Sequence, residues 1–385
     1  MAGSLRSLPV VFSLIYSFAN GALAEPAFDS LETLGEALYF DVNLSANRSQ
    51  SCATCHDPSA GFVDPRETRV GRAVSLGDDG NSLGDRTAPT AAYAAFTPEF
   101  HQNAEGNWVG GMFWDGRETG LEGQAGGPPL NPIEMGMPDK QSIVQRLLED
   151  EDYVASFQNI FGAEIFGETD QAYEAMTQAI SAYERTEFFA PFDSKYDRFL
   201  KGEYQMTREE QLGMTLFFSE QFTNCNLCHQ LKRSPTDPQE TFTNYEYHNI
   251  GIPENLAVRT ENGMASGTKD MGLLANPAVD DPMQAGKFKV PTLRNVAVTG
   301  PYMHNGVFMD LRTVVLFYNR FNTRAEARQI NPETGVKFRS PEIPHTLAVK
   351  ELTHGPALDD RRIDALVAFM KTLTDARYED LLEND

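Results

Sequence analysis

Residues 52–56 read CATCH and residues 225–229 read CNLCH. Each is a C-x-x-C-H motif, the attachment signature of c-type haem. Two thiols one helical turn apart add to the two vinyl groups of one haem, and the histidine that follows is held against the iron as proximal ligand. The reading gives Cys52, Cys55 and His56 to one haem and Cys225, Cys228 and His229 to another. Two C-x-x-C pairs also supply the ligands of a Cys₄ zinc site, and a single pair suits a thioredoxin-like redox couple. Neither alternative accounts for a histidine after both pairs. These are the four cysteines of the chain, so none is left for a structural disulfide.

Outward from the motifs the sequence repeats weakly. LGEALYF (34–40) precedes the first motif and LGMTLFF (212–218) the second, each with helical periodicity. QAYEAMTQAISAYERTE (171–187) closes the first half and RRIDALVAFMKTLTD (361–375) the second. Between them, 57–137 and 231–300 are long, Gly/Pro/Asn-rich and poor in periodic pattern, as expected of loops that line functional sites. The predicted fold is mostly α: two cytochrome c-like haem domains with long Gly/Pro-rich loops, over 25–198 and 199–385. The repeat is far too long for a solenoid.

The chain has 385 residues and a formal net charge of −23. That balance argues against nucleic acid or anionic lipid as a partner. It suits either a solubilising surface or steering toward a basic partner. Residues 1–24 read as a signal peptide: Arg6, then the apolar run LPVVFSLIYSF, then Ala22–Leu23–Ala24 as the cleavage pattern. The run is too short to span a bilayer. The expected mature chain is periplasmic, not inserted in a membrane, and monomeric, since no long coiled-coil pattern appears.

SCATCHDP (51–58), GDRTAPT (84–90), FWDGR (113–117), LNPIEM (130–135), FDSKYDR (192–198), TFTNYEYHNIG (241–251), FKVPTLRNVAVTGPYMHNGVF (288–308) and LFYNR (316–320) together carry a resemblance. From about Leu34 to its C-terminus the chain resembles the di-haem cytochrome c peroxidase superfamily, and within it the methylamine-utilisation branch. The resemblance implies two covalently bound haem c groups and a calcium ion between them. It makes Tyr318, fourteen residues after His304, the distal ligand of the second haem, where ordinary di-haem peroxidases use methionine. A phenolate is hard and anionic and favours ferric and higher states, whereas a thioether favours ferrous iron. Taken alone, Tyr318 reads as core packing with its hydroxyl at the edge. Met303 and Met309 are the rival ligands.

The resemblance further implies an open first haem on His56, with Gln124, Pro128 and Glu134 in its distal pocket. Glu134 would serve as general acid–base toward hydrogen peroxide. The types at Asn131, Pro132 and Glu134 also suit N-cap, N1 and N3 of a short helix. Trp114 would relay electrons between the haems, although a buried aromatic is its plainer reading. Calcium ligands would be the backbone carbonyls of Thr299 and Pro301, with Thr87 standing where the family has asparagine. A second departure lies in FFSEQFTNCNLC (217–228): the branch has a tryptophan just before the second motif, and here Phe222 is the nearest aromatic. The implied activity is that of a haem-dependent oxidoreductase. It would oxidise precursor methylamine dehydrogenase at long range with hydrogen peroxide, completing tryptophan tryptophylquinone. Two rivals remain: a di-haem cytochrome c peroxidase fed by a small cytochrome, and a non-enzymatic electron-transfer cytochrome.

Overall fold

The four periodic segments form helices because each carries an apolar stripe, and three of them also have a side-chain-capped start. The computed structural model describes residues 27–223, 225–231, 238–265 and 267–383. The expected signal peptide lies outside the described residues. Helix α1 (Leu31–Phe40) begins at Ser30, whose side chain accepts from the Thr33 amide, and buries Leu34 and Leu38 one turn apart. Helix α2 (Cys52–Cys55) is the first C-x-x-C turn. Next come α3 (Leu121–Gly126), α4 (Lys140–Leu147), α5 (Glu151–Phe161), α6 (Thr169–Glu184) and α7 (Lys195–Leu200). Helix α8 (Arg208–Phe217) starts in a capping box between Thr207 and Glu210. Then follow α9 (Leu256–Glu261), α10 (Leu311–Asn319), α11 (Val349–Leu352) and α12 (Asp360–Lys371).

Sheet is sparse. β1 (Arg69–Arg72) is a short extended piece. β2 (His101–Gln102) pairs antiparallel with β3 (Trp108–Val109). β4 (Tyr247–His248) pairs antiparallel with β5 (Phe288–Lys289), Tyr247 opposite Lys289 and His248 opposite Phe288. The protein is therefore mostly helical and irregular, and the two long stretches hold little regular structure, as expected. Residues 131–136, read as a helix start, are instead a tight turn. The Glu134 and Gly136 amides both return to the Asn131 carbonyl, and Gly136 at φ 70° turns the chain away after one turn.

Two separate hydrophobic cores result. Leu34, Leu38, Phe157, Met176, Ile180 and Phe189 belong to the first, and Tyr196, Phe217, Phe242, Phe317, Ile363 and Phe369 to the second. In each, the helix before the C-x-x-C-H motif crosses the closing helix at a glycine. A Cβ on Gly35 would fall 1.9 Å from the Ala179 carbonyl oxygen, and one on Gly213 would fall 1.8 Å from that of Ala365. The backbones touch at both crossings, which only glycine permits.

A buried ion pair ties the cores together. Arg294 is 0 % exposed and pairs with Asp197 at 2.5 Å. Its guanidinium lies among the rings of Tyr93, Phe192, Tyr196 and Phe242, drawn from both sides of the seam. Asp375 adds a second tie, accepting from Tyr93 at 2.5 Å and from the Asn295 amide at 2.8 Å.

Gly213→Ala should lower the urea-unfolding stability of the intact protein by about 1–3 kcal/mol or more, the cost of overpacking a tight contact. Gly167→Ala, with nothing within 4 Å of its added Cβ, should stay within about 0.5 kcal/mol.

Candidate functional site

Each C-x-x-C-H histidine is held from behind by one carbonyl. His56 Nδ1 lies 3.2 Å from the Phe62 carbonyl oxygen, and His229 Nδ1 lies 3.1 Å from that of Phe242. A carbonyl only accepts, so Nδ1 carries the proton and Nε2 keeps its lone pair, the tautomer a metal ligand needs. Burial lowers the pKa of both imidazoles, that of His229 to about 4. Phe62 and Phe242 sit at φ 59° and 56°, a left-handed conformation that is strained for phenylalanine.

The surroundings hold that strain. Thr90 Oγ1 donates to the Gly61 carbonyl at 2.6 Å, and Thr292 Oγ1 donates to the Thr241 carbonyl at 2.7 Å. The residues preceding the two phenylalanines are thus clamped alike, by the threonines of APT (88–90) and VPT (290–292). This second repeat was legible as a Pro-Thr pair but was not read from the sequence.

The two motifs line different cavities. Cys52, Cys55 and His56 open on the first; Cys225, Cys228 and His229 open on the second. A shared Cys₄ zinc site is thereby excluded. Burial pushes the Cys52 and Cys55 thiols up to about 12, the opposite of the depressed pKa of a thioredoxin-like pair. No thiol is tied in a disulfide. Paired free thiols with a neutral imidazole at the same cavity are the donor set that a covalently attached haem requires.

Gln124, Pro128 and Glu134 come together in the first cavity. Burial raises the Glu134 pKa, opposed by the charge of Arg117 and reinforced by Asp85. Thr87, Thr299 and Pro301 line the same cavity. The Thr87 hydroxyl donates to the Met303 carbonyl at 3.1 Å. Tyr318, on α10, lines the second cavity with His229. Its hydroxyl makes no hydrogen bond among the described residues, and burial raises its pKa. Of its rivals, Met309 is 56 % exposed and outside both cavities, while Met303 borders both. Phe222 is 45 % exposed yet also lines the second cavity, which brings that cavity to the surface.

Trp114 belongs to the wall common to both cavities, and its indole N–H donates to the Thr87 carbonyl at 2.9 Å. Three further residues escaped the sequence reading. Lys289 lies in the same wall. His304, stacked on Phe288 at 3.6 Å, lines the second cavity with its Nε2 unpartnered. Glu184 is 5 % exposed, lines the first cavity, and leaves Oε2 without a partner. The signal for Glu184 was a carboxylate in register with Ile180 and Tyr183 on the buried face of α6.

Burial, reinforced by Glu122 against the pull of Arg185, raises the Glu184 pKa to about 8. A carboxyl raised above its unfolded value binds an extra proton in the folded state. It therefore stabilises below the unfolded pKa, and that contribution is lost as pH rises toward 8. Glu184→Gln should flatten the fall in urea midpoint between about pH 4.5 and 8; an unchanged slope would refute this.

Comparison with known proteins agrees with this geometry. A family model described as di-haem cytochrome c peroxidase matches residues 29–205. The chain is 51 % identical over 379 residues to the methylamine utilization protein MauG of Paracoccus denitrificans, covering 98 % of this chain and 97 % of that protein. It is 31 % identical to the cytochrome c peroxidase Ccp of Escherichia coli, over 79 % of this chain and 56 % of that one. The crystal structure of the diheme peroxidase BthA from Burkholderia thailandensis superposes with a TM-score of 0.80 at 29 % identity, over 92 % of this chain and 88 % of that one. With two separate cavities, each bearing a C-x-x-C-H motif, and near-complete alignment to such a relative, the chain belongs to the di-haem cytochrome c peroxidase family and is a haem oxidoreductase.

Proposed function

We propose that this is an exported, periplasmic, monomeric enzyme that uses hydrogen peroxide to oxidise a protein partner at long range. The partner is precursor methylamine dehydrogenase and the product its tryptophan tryptophylquinone cofactor. The carrying observation is Tyr318, a half-buried phenol whose hydroxyl makes no hydrogen bond among the described residues, at the cavity that also holds Cys225, Cys228 and His229. The 51 % identity to a methylamine utilization protein supports the same choice over a cytochrome-fed peroxidase. Among the described residues no helix is long and apolar enough to cross a membrane.

Bound haem would supply iron that reacts with peroxide and carries oxidising equivalents. The chain's residues divide the remaining work. Cys52, Cys55, Cys225 and Cys228 anchor the two groups covalently, and His56 and His229 orient them through fixed tautomers. Glu134, whose pKa burial raises, would carry a proton to peroxide; Gln124 and Pro128 would shape that pocket. Tyr318 would serve as the phenolate that holds the second haem's iron, since a bound cation lowers a ligand's pKa. Trp114 fills the wall between the sites and keeps an aromatic path across it. The partner need not enter the first cavity, because the second reaches the surface at Phe222.

The domain division falls between the two cores. Tyr196 of α7 packs in the second core, which favours a boundary just before α7 over one at 198/199. Calcium would sit by the Thr299 and Pro301 carbonyls, neither of which accepts a hydrogen bond among the described residues. With Thr87 as third ligand the donors are neutral, so binding should be weak and calcium lost on simple desalting of the holoprotein; calcium that stays bound through desalting would contradict this.

Oxidation of precursor methylamine dehydrogenase by the holoprotein and peroxide, followed by quinone absorbance, tests the reading. Tyr318→Met should abolish quinone formation while leaving a protein with two haems. Glu134→Gln should slow the peroxide reaction by about 10²–10⁴-fold. Strong turnover with a reduced small cytochrome and none with the precursor would overturn the assignment.

A further inference from the structure

The wall between the cavities contains Trp114, Lys289, Val290, Pro291, Leu293, Val296, Tyr302 and Met303, all of which border both. Lys289 is the one charged side chain in that set. Its ammonium donates to the Gly111 carbonyl oxygen, and no carboxylate among the described residues lies within ion-pair distance. The nearby acid, Asp115, is already bonded to Arg86 at 2.7 Å and to Arg117 at 3.1 Å. Two other cations are compensated: Arg86 also binds Asp270 at 2.6 Å, and Arg294 binds Asp197. Lys289 is left with a neutral backbone acceptor.

An unpaired ammonium inside a protein is costly, so it either loses its proton or finds an anion. Burial does pull the Lys289 pKa down, to about 8. An ammonium has three donors, and Gly111 takes one. Two remain, with a cavity on each side. The group that each cavity fits carries its own anions, the two propionate carboxylates of haem. The backbone is fixed as well: the Lys289 amide donates to the Trp114 carbonyl at 2.9 Å, and β4 pairs with β5.

We propose that the Lys289 ammonium is the shared counter-ion of the two haems, hydrogen-bonding one propionate carboxylate from each across the wall that separates the cavities. This rests on the reading of both cavities as haem sites. One cation then contacts both cofactors, and a charge change on either is felt by the other through it. Lys289 is a positioning residue that acts on the cofactors' potentials.

A crystal structure of the wild-type holoprotein tests this without a variant. Lys289 Nζ should lie within about 3.2 Å of a carboxylate oxygen on each haem. Spectroelectrochemical titration adds a second readout. Loss of the cation favours the more positive ferric state, so Lys289→Met should lower both midpoint potentials, and Lys289→Arg should hold both near wild type. Two bound haems with Nζ bonded to one or neither would overturn the proposal, as would a shift confined to one midpoint. Fewer than two haems per wild-type chain would overturn the reading of the cavities instead.

Discussion

One hydrogen bond, made twice, sets the terms for the rest of this protein: a histidine Nδ1–H to the carbonyl of a phenylalanine in left-handed conformation. It fixes which nitrogen of His56 and of His229 is free to bind metal. The bond stays in place because the preceding residue is clamped by a threonine hydroxyl, and that threonine follows a proline in both halves. The helices are subordinate to the same requirement. Their glycine crossings bring α1 onto α6 and α8 onto α12 so closely that the C-x-x-C-H turns have a rigid floor.

On this duplicated frame the two sites diverge. The first cavity receives Gln124 from α3, Pro128 and Glu134 from the segment after it, and Glu184 from α6. Two of these are acids that burial holds toward the protonated form, suiting a site where protons move with peroxide. The second cavity receives Tyr318 from α10, and two of its four imidazoles, His229 and His304, are held neutral by burial. The wall between them is the one place where residues serve both sites, and it carries an indole and an ammonium. Arg294, paired with Asp197, packs against rings of both cores: Tyr93 and Phe192 from one, Tyr196 and Phe242 from the other.

Much of this was legible in the sequence. The four principal helices announced themselves by periodicity. The motifs pointed to two cofactor sites because C-x-x-C-H leaves little chemical freedom. The helix expected at Asn131 was not there, because a capping pattern of three residues says nothing about the Gly136 that ends the turn. Lys289 sat in a quoted motif without drawing notice. Its distinction is the lack of a carboxylate partner, and the groups that decide this, Asp115 and Gly111, lie some 170 residues away in the chain. For the same reason the shared wall could not be read: Trp114 meets the 289–303 segment only in the fold.

The central claim is that the two sites act as one oxidising unit with Tyr318 at the second iron. Mössbauer spectroscopy of the fully ferric holoprotein, before and after one equivalent of hydrogen peroxide, tests it most directly, since each iron gives its own signal. The account predicts that the signals of both irons change. A change confined to the first iron, or no reaction until one haem has been reduced, would contradict it and return the protein to the behaviour of an ordinary di-haem peroxidase.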